Sequence, residues 1–406
     1  MLNTPFSPWP SFTQEEAEAV AKVVLSNKVN YWTGTECREF EKEFAAWCGA
    51  NHAIALANGT VALDLALKCL GIGPGDEVIV TPRTFLASVS CVVTAGAIPV
   101  FADVDPNSGN ITAETIAAVL TPRTRAIIAV HLAGWPCDMD PIMALAAAHG
   151  LKVIEDCAQA HGARYKGRMV GSIGHVGAWS FCQDKIMTTG GEGGMVTTND
   201  PDLWAAMWAY KDHGKSWDAV YARDHAPGFR WLHESFGTNW RMLEMQAAIG
   251  RIQLRRMAGW TLARTKNAAI LTAAIAPFAG DNGPVRLPTF GCHGCNSCSQ
   301  ETGCQPAHYK FYCYVRTENM APGWSRDRII AEISALGVPA YQGSCSEVYL
   351  EKAFDGTGWR PENRLAAAKD LGETSLMFLV HPTLTAQELK SASSTIAKVL
   401  AMAQSL

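Results

Sequence analysis

Residues 152–200 read KVIEDCAQAHGARYKGRMVGSIGHVGAWSFCQDKIMTTGGEGGMVTTND. Three short apolar runs in this stretch, at 152–156, 177–181 and 194–199, have the length of buried strands, and polar or glycine-rich loops separate them. Working outward, the chain alternates further predicted strands with predicted helices: strands at 52–56, 77–80, 99–103 and 126–132, and helices at 59–71, 85–96, 111–120 and 142–150. Such alternation predicts an α/β fold with a mostly parallel central sheet and helices on both faces.

The pattern changes after about residue 260. A long helix is predicted over 261–276, a strand over 310–315, and two helices over 325–337 and 385–402. We therefore expect two domains, because one hydrophobic core seldom serves a chain of this length. An N-terminal arm and a large domain occupy 1–260, and a smaller C-terminal α+β domain occupies 261–406.

The composition is that of a globular protein: 48% of the 406 residues are hydrophobic, 18% are charged, and the formal net charge is −4. There is no long basic run, so neither nucleic acid nor an anionic membrane is expected as a partner. No apolar stretch reaches the ~18 residues of a membrane helix. The N-terminal MLNTPFSPWPSFTQEE lacks the basic start and apolar run of a secretory signal. These features predict a cytoplasmic location.

Asn58-Gly59-Thr60 lies between a predicted strand and a predicted helix. Backbone N–H groups at the start of a helix form a phosphate site. A plain turn in which Thr60 caps the helix is the alternative.

Glu155 and Asp156 end a predicted strand, where side chains face the crevice in which α/β sheets bind ligands. A buried acid needs a cationic partner, and a pyridinium nitrogen is one that becomes an electron sink when it is kept protonated. Gln159 is close enough to hydrogen-bond a ring hydroxyl. Asp156 is otherwise a helix cap.

Lys185 follows a predicted strand and precedes the glycines of 190–194. A lysine whose pKa is lowered by burial forms a Schiff base with a carbonyl, and Ser180 offers a hydroxyl to a phosphate. A solvated surface lysine is the alternative.

Together these pieces resemble the DegT-type (sugar aminotransferase) family of pyridoxal-phosphate-dependent enzymes. The resemblance extends over most of the chain. Besides the Asn-Gly-Thr turn and residues 155–200, it includes TPRTFLASVS (81–90), AGAIPVFADVD (95–105), VHLAGWPCDMD (130–140) and NWRMLEMQAAIGRIQL (239–254).

The resemblance implies the aspartate aminotransferase fold type I, pyridoxal 5′-phosphate as cofactor, and a homodimer with active sites at the interface. It also implies a role for each matching residue. Lys185 carries the cofactor and moves protons, Asp156 pairs with the ring nitrogen, Gln159 contacts the ring oxygen, and Phe85 stacks on the ring; Gly59, Thr60 and Ser180 hold the phosphate, and Asn239 reaches the phosphate of the partner subunit's site.

The expected reaction moves an amino group from glutamate or glutamine to a keto-sugar that is linked to a nucleotide. A ketone of a cyclitol or an aminoshikimate-type ring is an alternative substrate. Two other functions are less favoured by Lys185 and its surrounding motif, namely a sugar dehydratase with the same cofactor and a regulator that binds the cofactor without turnover. Trp32 lies where the family's N-terminal loop covers the substrate, so it either stacks on the substrate or fills the core.

Four of the thirteen cysteines stand close together, in an insertion near 291–304 of the predicted small domain: Cys292, Cys295, Cys298 and Cys304. This spacing suits zinc or an iron–sulfur cluster. The predicted chemistry needs neither, so we expect a cysteine-rich surface loop at the edge of that domain, without a metal and distant from Lys185.

Overall fold

The computed structural model describes residues 5–228, 230–289 and 303–405. The helices are α1 (Gln14–Leu25), α2 (Glu36–Cys48), α3 (Gly59–Cys69), α4 (Ala87–Thr94), α5 (Ala113–Ala117), α6 (Met139–His149), α7 (Pro201–Lys211), α8 (Trp217–Tyr221), α9 (Glu244–Ile275), α10 (Arg326–Ala335), α11 (Ala366–Thr374) and α12 (Ala386–Ala403). The strands are β1 (His52–Leu56), β2 (Glu77–Val80), β3 (Ile98–Phe101), β4 (Thr124–Val130), β5 (Lys152–Asp156), β6 (Arg164–Tyr165), β7 (Arg168–Met169), β8 (Val176–Ser180), β9 (Gly194–Thr198), β10 (Val285–Arg286), β11 (Phe311–Val315), β12 (Ala340–Tyr341) and β13 (Ser375–Phe378).

The large sheet has seven strands in the order β1-β9-β8-β5-β4-β2-β3. Strand β9 runs antiparallel to both of its neighbours, and the remaining pairs are parallel. The prediction of a mostly parallel sheet is confirmed. A four-stranded sheet, β10-β11-β13-β12, forms in the C-terminal part, where its pairs are antiparallel.

Helices cover the large sheet on both faces, which explains why its strands are apolar without alternation. In β2, Val78 and Val80 face one core cluster and Ile79 faces another. In β4, Ile128 and Ile127 divide in the same way. Neither face of the central strands is left to water.

Helix α9 is 32 residues long and contributes to two cores. Ala247 and Met257, in its first half, pack in the core of the large sheet. Leu271 and Ile275, in its last half, pack in the core of the small sheet. The proposed domain boundary at residue 260 falls inside this helix. None of the helices in the described ranges is both long and apolar enough to cross a membrane.

Candidate active site

A cavity of about 570 Å³ opens at the carboxyl ends of β5 and β8, beside the first turn of α3. This is where open α/β sheets bind their ligands. Its lining contains most of the residues that were predicted for the site: Gly59, Thr60, Phe85, Asp156, Gln159, Ser180 and Lys185. One crevice therefore collects these residues from four separate stretches of the chain.

The start of α3 is built to approach Ser180 closely. Asn58 caps the helix, because its side-chain oxygen accepts the N–H of Val61 at 3.0 Å. The expected alternative of a Thr60 cap is therefore wrong. A Cβ on Gly59 would lie 2.5 Å from the Cβ of Ser180, so only glycine brings the helix terminus against that hydroxyl. The first N–H groups of a helix have no partner within it, so this corner suits a phosphate.

Asp156 ends β5 and is 5% exposed. Its Oδ2 accepts the hydroxyl of Ser88 at 2.7 Å, and its Oδ1 accepts the backbone N–H of Ala158 at 3.1 Å. The chain continues after it in turns, and α7 (Pro201–Lys211) is the next helix. Asp156 is therefore not a helix cap.

Glu155 does not share the crevice, so the expectation that both carboxylates point into it is wrong. Successive side chains of a strand point to opposite faces. Glu155 lies 3.0 Å from the Nε2 of His131 and accepts three backbone N–H groups of residues 171–174. Burial opposes its ionisation, but these hydrogen bonds outweigh burial and lower its pKa. Its role is to hold the 171–174 turn.

Gln159 is oriented from behind the cavity. Its Oε1 accepts the N–H of Ala133 at 2.7 Å. Ala133 has a left-handed backbone, with φ of 56°, which turns that N–H toward the glutamine. The amide NH₂ of Gln159 then remains as the donor that faces the cavity.

Lys185 is largely buried, with a side chain that is 16% exposed. The alternative of a solvated surface lysine is therefore wrong. The Nζ lies 3.7 Å from a carboxylate oxygen of Asp184 and 5.3 Å from the ring centre of Tyr309. Its backbone oxygen accepts the indole N–H of Trp9 at 2.8 Å. The N-terminal arm thus helps to hold the lysine loop.

Asp184 and Tyr309 form a hydrogen bond beside Lys185. Burial raises the pKa of Asp184, but the charge of Lys185 and the Tyr309 hydroxyl outweigh it and hold the pKa below its usual range. Burial raises the pKa of Tyr309, and the neighbouring carboxylate raises it further. Asp184 is therefore an anion, and Tyr309 is its neutral donor.

Sequence reasoning missed four residues around the site: Trp9, Ser88, Asp184 and Tyr309. Ser88 and Asp184 stand inside stretches that carried the resemblance, but their types alone did not indicate a partner. Trp9 and Tyr309 lie 176 and 124 positions from Lys185. No local pattern reveals contacts over such separations.

Two predicted residues lie away from this cavity. Asn239 is exposed, and its backbone forms an isolated antiparallel β-bridge with Asp212. It lies in the loop before α9, which begins at Glu244. Trp32 is half-buried and packs against the rings of Tyr31 and Trp208. Neither residue lines this cavity.

The cysteine cluster can be described only at its end. Cys292, Cys295 and Cys298 lie outside the described residues. Cys304 packs against the core under the large sheet, and the next residue, Gln305, exchanges backbone hydrogen bonds with Arg164. The prediction that the insertion sits at the edge of the small domain is wrong for this end, because Cys304 packs on the large sheet.

The cavity fits pyridoxal 5′-phosphate. Gly59 keeps a cradle open beside Ser180 that a Cβ would fill. A buried carboxylate, a donor amide and a buried lysine converge on the same space. These are the groups that a phosphate, a pyridine nitrogen, a ring hydroxyl and an aldehyde require.

Comparison with known proteins agrees with this geometry. Residues 10–397 match a family model, the DegT/DnrJ/EryC1/StrS aminotransferase family. Over 300 residues the chain is 41% identical to the GDP-perosamine synthase of Caulobacter vibrioides, covering 74% of each chain. Over 372 residues it is 36% identical to the dTDP-3-amino-3,4,6-trideoxy-alpha-D-glucose transaminase of Streptomyces venezuelae, covering 91% of this chain and 88% of the relative.

A solved structure of an aminotransferase from Psychrobacter cryohalolentis is also similar. It is 66% identical, has a TM-score of 0.94, and covers 98% of this chain and 99% of its own. The resemblance that the motifs predicted is confirmed.

Proposed function

The chain belongs to the DegT/DnrJ/EryC1/StrS aminotransferase family, and we propose that it uses pyridoxal 5′-phosphate to move an amino group from glutamate or glutamine to a keto-sugar carried on a nucleotide. One observation carries the proposal. Lys185, Asp156 and the Gly59–Ser180 cradle all line one cavity.

When bound, the cofactor supplies an aldehyde that accepts an amino group and a ring that stores the electrons of a broken bond. In the proposal, Asp156 holds the positive charge on the ring nitrogen, and Gln159 donates to the ring oxygen. Gly59, Thr60 and Ser180 bind the phosphate, while Phe85 covers the ring. The Nζ of Lys185 anchors the cofactor covalently and afterwards moves a proton.

The substrate class rests on the relatives. Two of them, by their names, act on or produce nucleotide-linked sugars. The lysine itself favours a transaminase over the sugar dehydratases, in which a histidine stands at this place. We further propose a cytoplasmic homodimer whose partners are small molecules, namely an amino acid and a keto-sugar.

The first prediction tests the anchor. Borohydride should fix the cofactor irreversibly to Lys185 and abolish the visible absorbance of the purified protein. Lys185→Ala should abolish amino transfer, whereas Lys352→Ala, at an exposed position, should change nothing. Peptide mapping identifies the modified lysine, and an adduct on another lysine would contradict the assignment.

The substrate is identified by the second half-reaction. Protein in the pyridoxamine form is mixed with nucleotide keto-sugars and, separately, with inososes, and the return of visible absorbance is followed. A response to inososes alone would show that the substrate is a cyclitol and not a nucleotide sugar.

A separate measurement concerns the cysteine insertion, which we propose to bind no metal. Elemental analysis of anaerobically purified protein tests this proposal.

A further inference from the structure

Lys310 is a second lysine beside the proposed anchor. Its Nζ lies 4.9 Å from the ring centre of Tyr309, and the Nζ of Lys185 lies 5.3 Å from the same ring. Lys310 is half-buried. Within the described part of the chain its ammonium forms no hydrogen bond or salt bridge. A charge that is withdrawn from water without a partner is costly.

Positive charge exceeds negative charge around this ring. Arg264 is 1% exposed and donates to the backbone oxygens of His308 and Tyr309. Lys185, Lys310 and Arg264 all approach Tyr309, and Asp184 is the acid that offsets them, its carboxylate already engaged by the Tyr309 hydroxyl. Burial, with Arg264 close by, lowers the pKa of Lys310 to about 8. Among the described residues, one carboxylate thus faces three cations.

We propose that Lys310 binds a carboxylate of the amino donor, an inference that rests on the proposed function. The donor delivers its nitrogen where Lys185 Nζ stands, so its carboxylates lie within the neighbourhood of that atom. Lys310 is the ammonium in this neighbourhood that forms no salt bridge with a described residue, since Asp184 acts on its charge only from beyond salt-bridge distance. The exchange consumes one water: an amino acid, water and the pyridoxal form held on Lys185 give a 2-oxo acid, the pyridoxamine form and the free Lys185 amine.

The test is the first half-reaction. It is monitored through the loss of visible absorbance when the protein is mixed with glutamate. Lys310→Met should weaken the apparent affinity for glutamate by about tenfold to a hundredfold, the usual worth of a charged hydrogen bond. The limiting rate should change much less. Lys310→Arg should restore part of the affinity, and Lys352→Met is the matched control at an exposed lysine.

Two arms identify the carboxylate. Alanine carries only the α-carboxylate, so an equal loss for alanine and glutamate assigns Lys310 to that group. A loss for glutamate alone assigns it to the side-chain carboxylate. Maleate, an unreactive dicarboxylate, should inhibit the wild type and lose potency against Lys310→Met.

The inference is overturned if Lys310→Met keeps wild-type glutamate affinity and maleate inhibition. It is also overturned if the loss appears only with the keto-sugar, since Lys310 would then hold a sugar-linked anion. Borohydride labelling of Lys185 must be normal in the variant, and Lys310→Gln serves if the methionine variant does not fold. Failure of the wild type with every amino acid would instead contradict the proposed function, and maleate would still test Lys310.

Discussion

The carboxylate of Asp156 has two neutral donors, Ser88 and the backbone of Ala158, and no cation among the described residues within hydrogen-bond distance. Both donors orient the carboxylate. One strand end thus holds a buried carboxylate toward an open cavity. That arrangement suits a ligand that brings its own positive charge.

A second prediction follows for Asp156→Asn. The amide keeps the shape but removes the charge that holds the ring nitrogen protonated. Electrostatic stabilisation of this kind is worth about 3 kcal/mol, so the half-reaction with saturating glutamate should slow roughly a hundredfold. Ser88→Ala, which keeps the charge, should slow it less. An Asn variant as fast as the wild type would make Asp156 a structural residue.

His161 lies buried against the rings of Trp179 and Phe181. Burial lowers its pKa to about 3, and the charge of Lys185 contributes. In the unfolded chain a histidine titrates near ~6.5, so the unfolded state binds the extra proton first. The free energy of unfolding should therefore fall as the pH drops below about 6.5.

This third prediction is measured by urea unfolding between pH 8 and 5. His308 and His381, with pKa values lowered by burial to about 4 and about 3, add to the same slope. His161→Leu should reduce the slope of the free energy of unfolding against pH by the equivalent of about one proton. An unchanged slope in that variant would show that His161 is not buried in the neutral form.

At the scale of secondary-structure elements, helix α9 contains two glycines in different environments. Gly250 packs where a Cβ would lie 2.7 Å from the ring of Phe40 and 3.0 Å from a methyl of Thr189. Gly259, nine residues later, is exposed, and a Cβ there would meet nothing within 4 Å. The first glycine is required by close packing, and the second carries only the entropic cost of glycine in a helix.

The fourth prediction contrasts the two glycines. Gly259→Ala should raise the free energy of unfolding by up to about 1 kcal/mol. Gly250→Ala should lower it, because the ring of Phe40 is itself fully buried and has little room to move. Urea midpoints of the two variants, measured together, check this. Equal effects would mean that the helix does not pack on Phe40 as described.

Element boundaries were predictable where the signal is local. Strands β1, β2 and β5 have the predicted bounds, since each is an apolar run that turn residues enclose. Helix α9 was predicted only from 261, although it begins at Glu244, because its first half has no single apolar face. The antiparallel direction of β9 follows from pairing with β1 and β8, which no local pattern contains.

At the scale of the whole molecule, several large apolar side chains remain on the surface. Phe85, at the mouth of the cavity, is 71% exposed, and Trp231 and Phe236 are 89% and 99% exposed. Trp231 and Phe236 belong to the same connection between α8 and α9 as Asn239. Large exposed apolar groups mark interaction surfaces, so we propose that this connection forms the contact of the proposed homodimer.

The last prediction tests that placement through Asn239. Its side chain is exposed and does not line its own subunit's cavity, so a role in catalysis requires another subunit's site. Lys185→Ala and Asn239→Ala are each expected to be impaired as homodimers. In a heterodimer, one site combines an intact Lys185 with the partner's intact Asn239, and the other site lacks both. Mixed and reassociated subunits should therefore regain activity at one site of each heterodimer.

The heterodimers are isolated by two affinity tags. If they remain inactive, Asn239 serves its own subunit or only the fold. The control pairs Lys185→Ala with Gln404→Ala, a change near the end of the chain and outside the connection. The Gln404→Ala homodimer should be fully active. Its heterodimer with Lys185→Ala should show the same one-site activity as the heterodimer with Asn239→Ala.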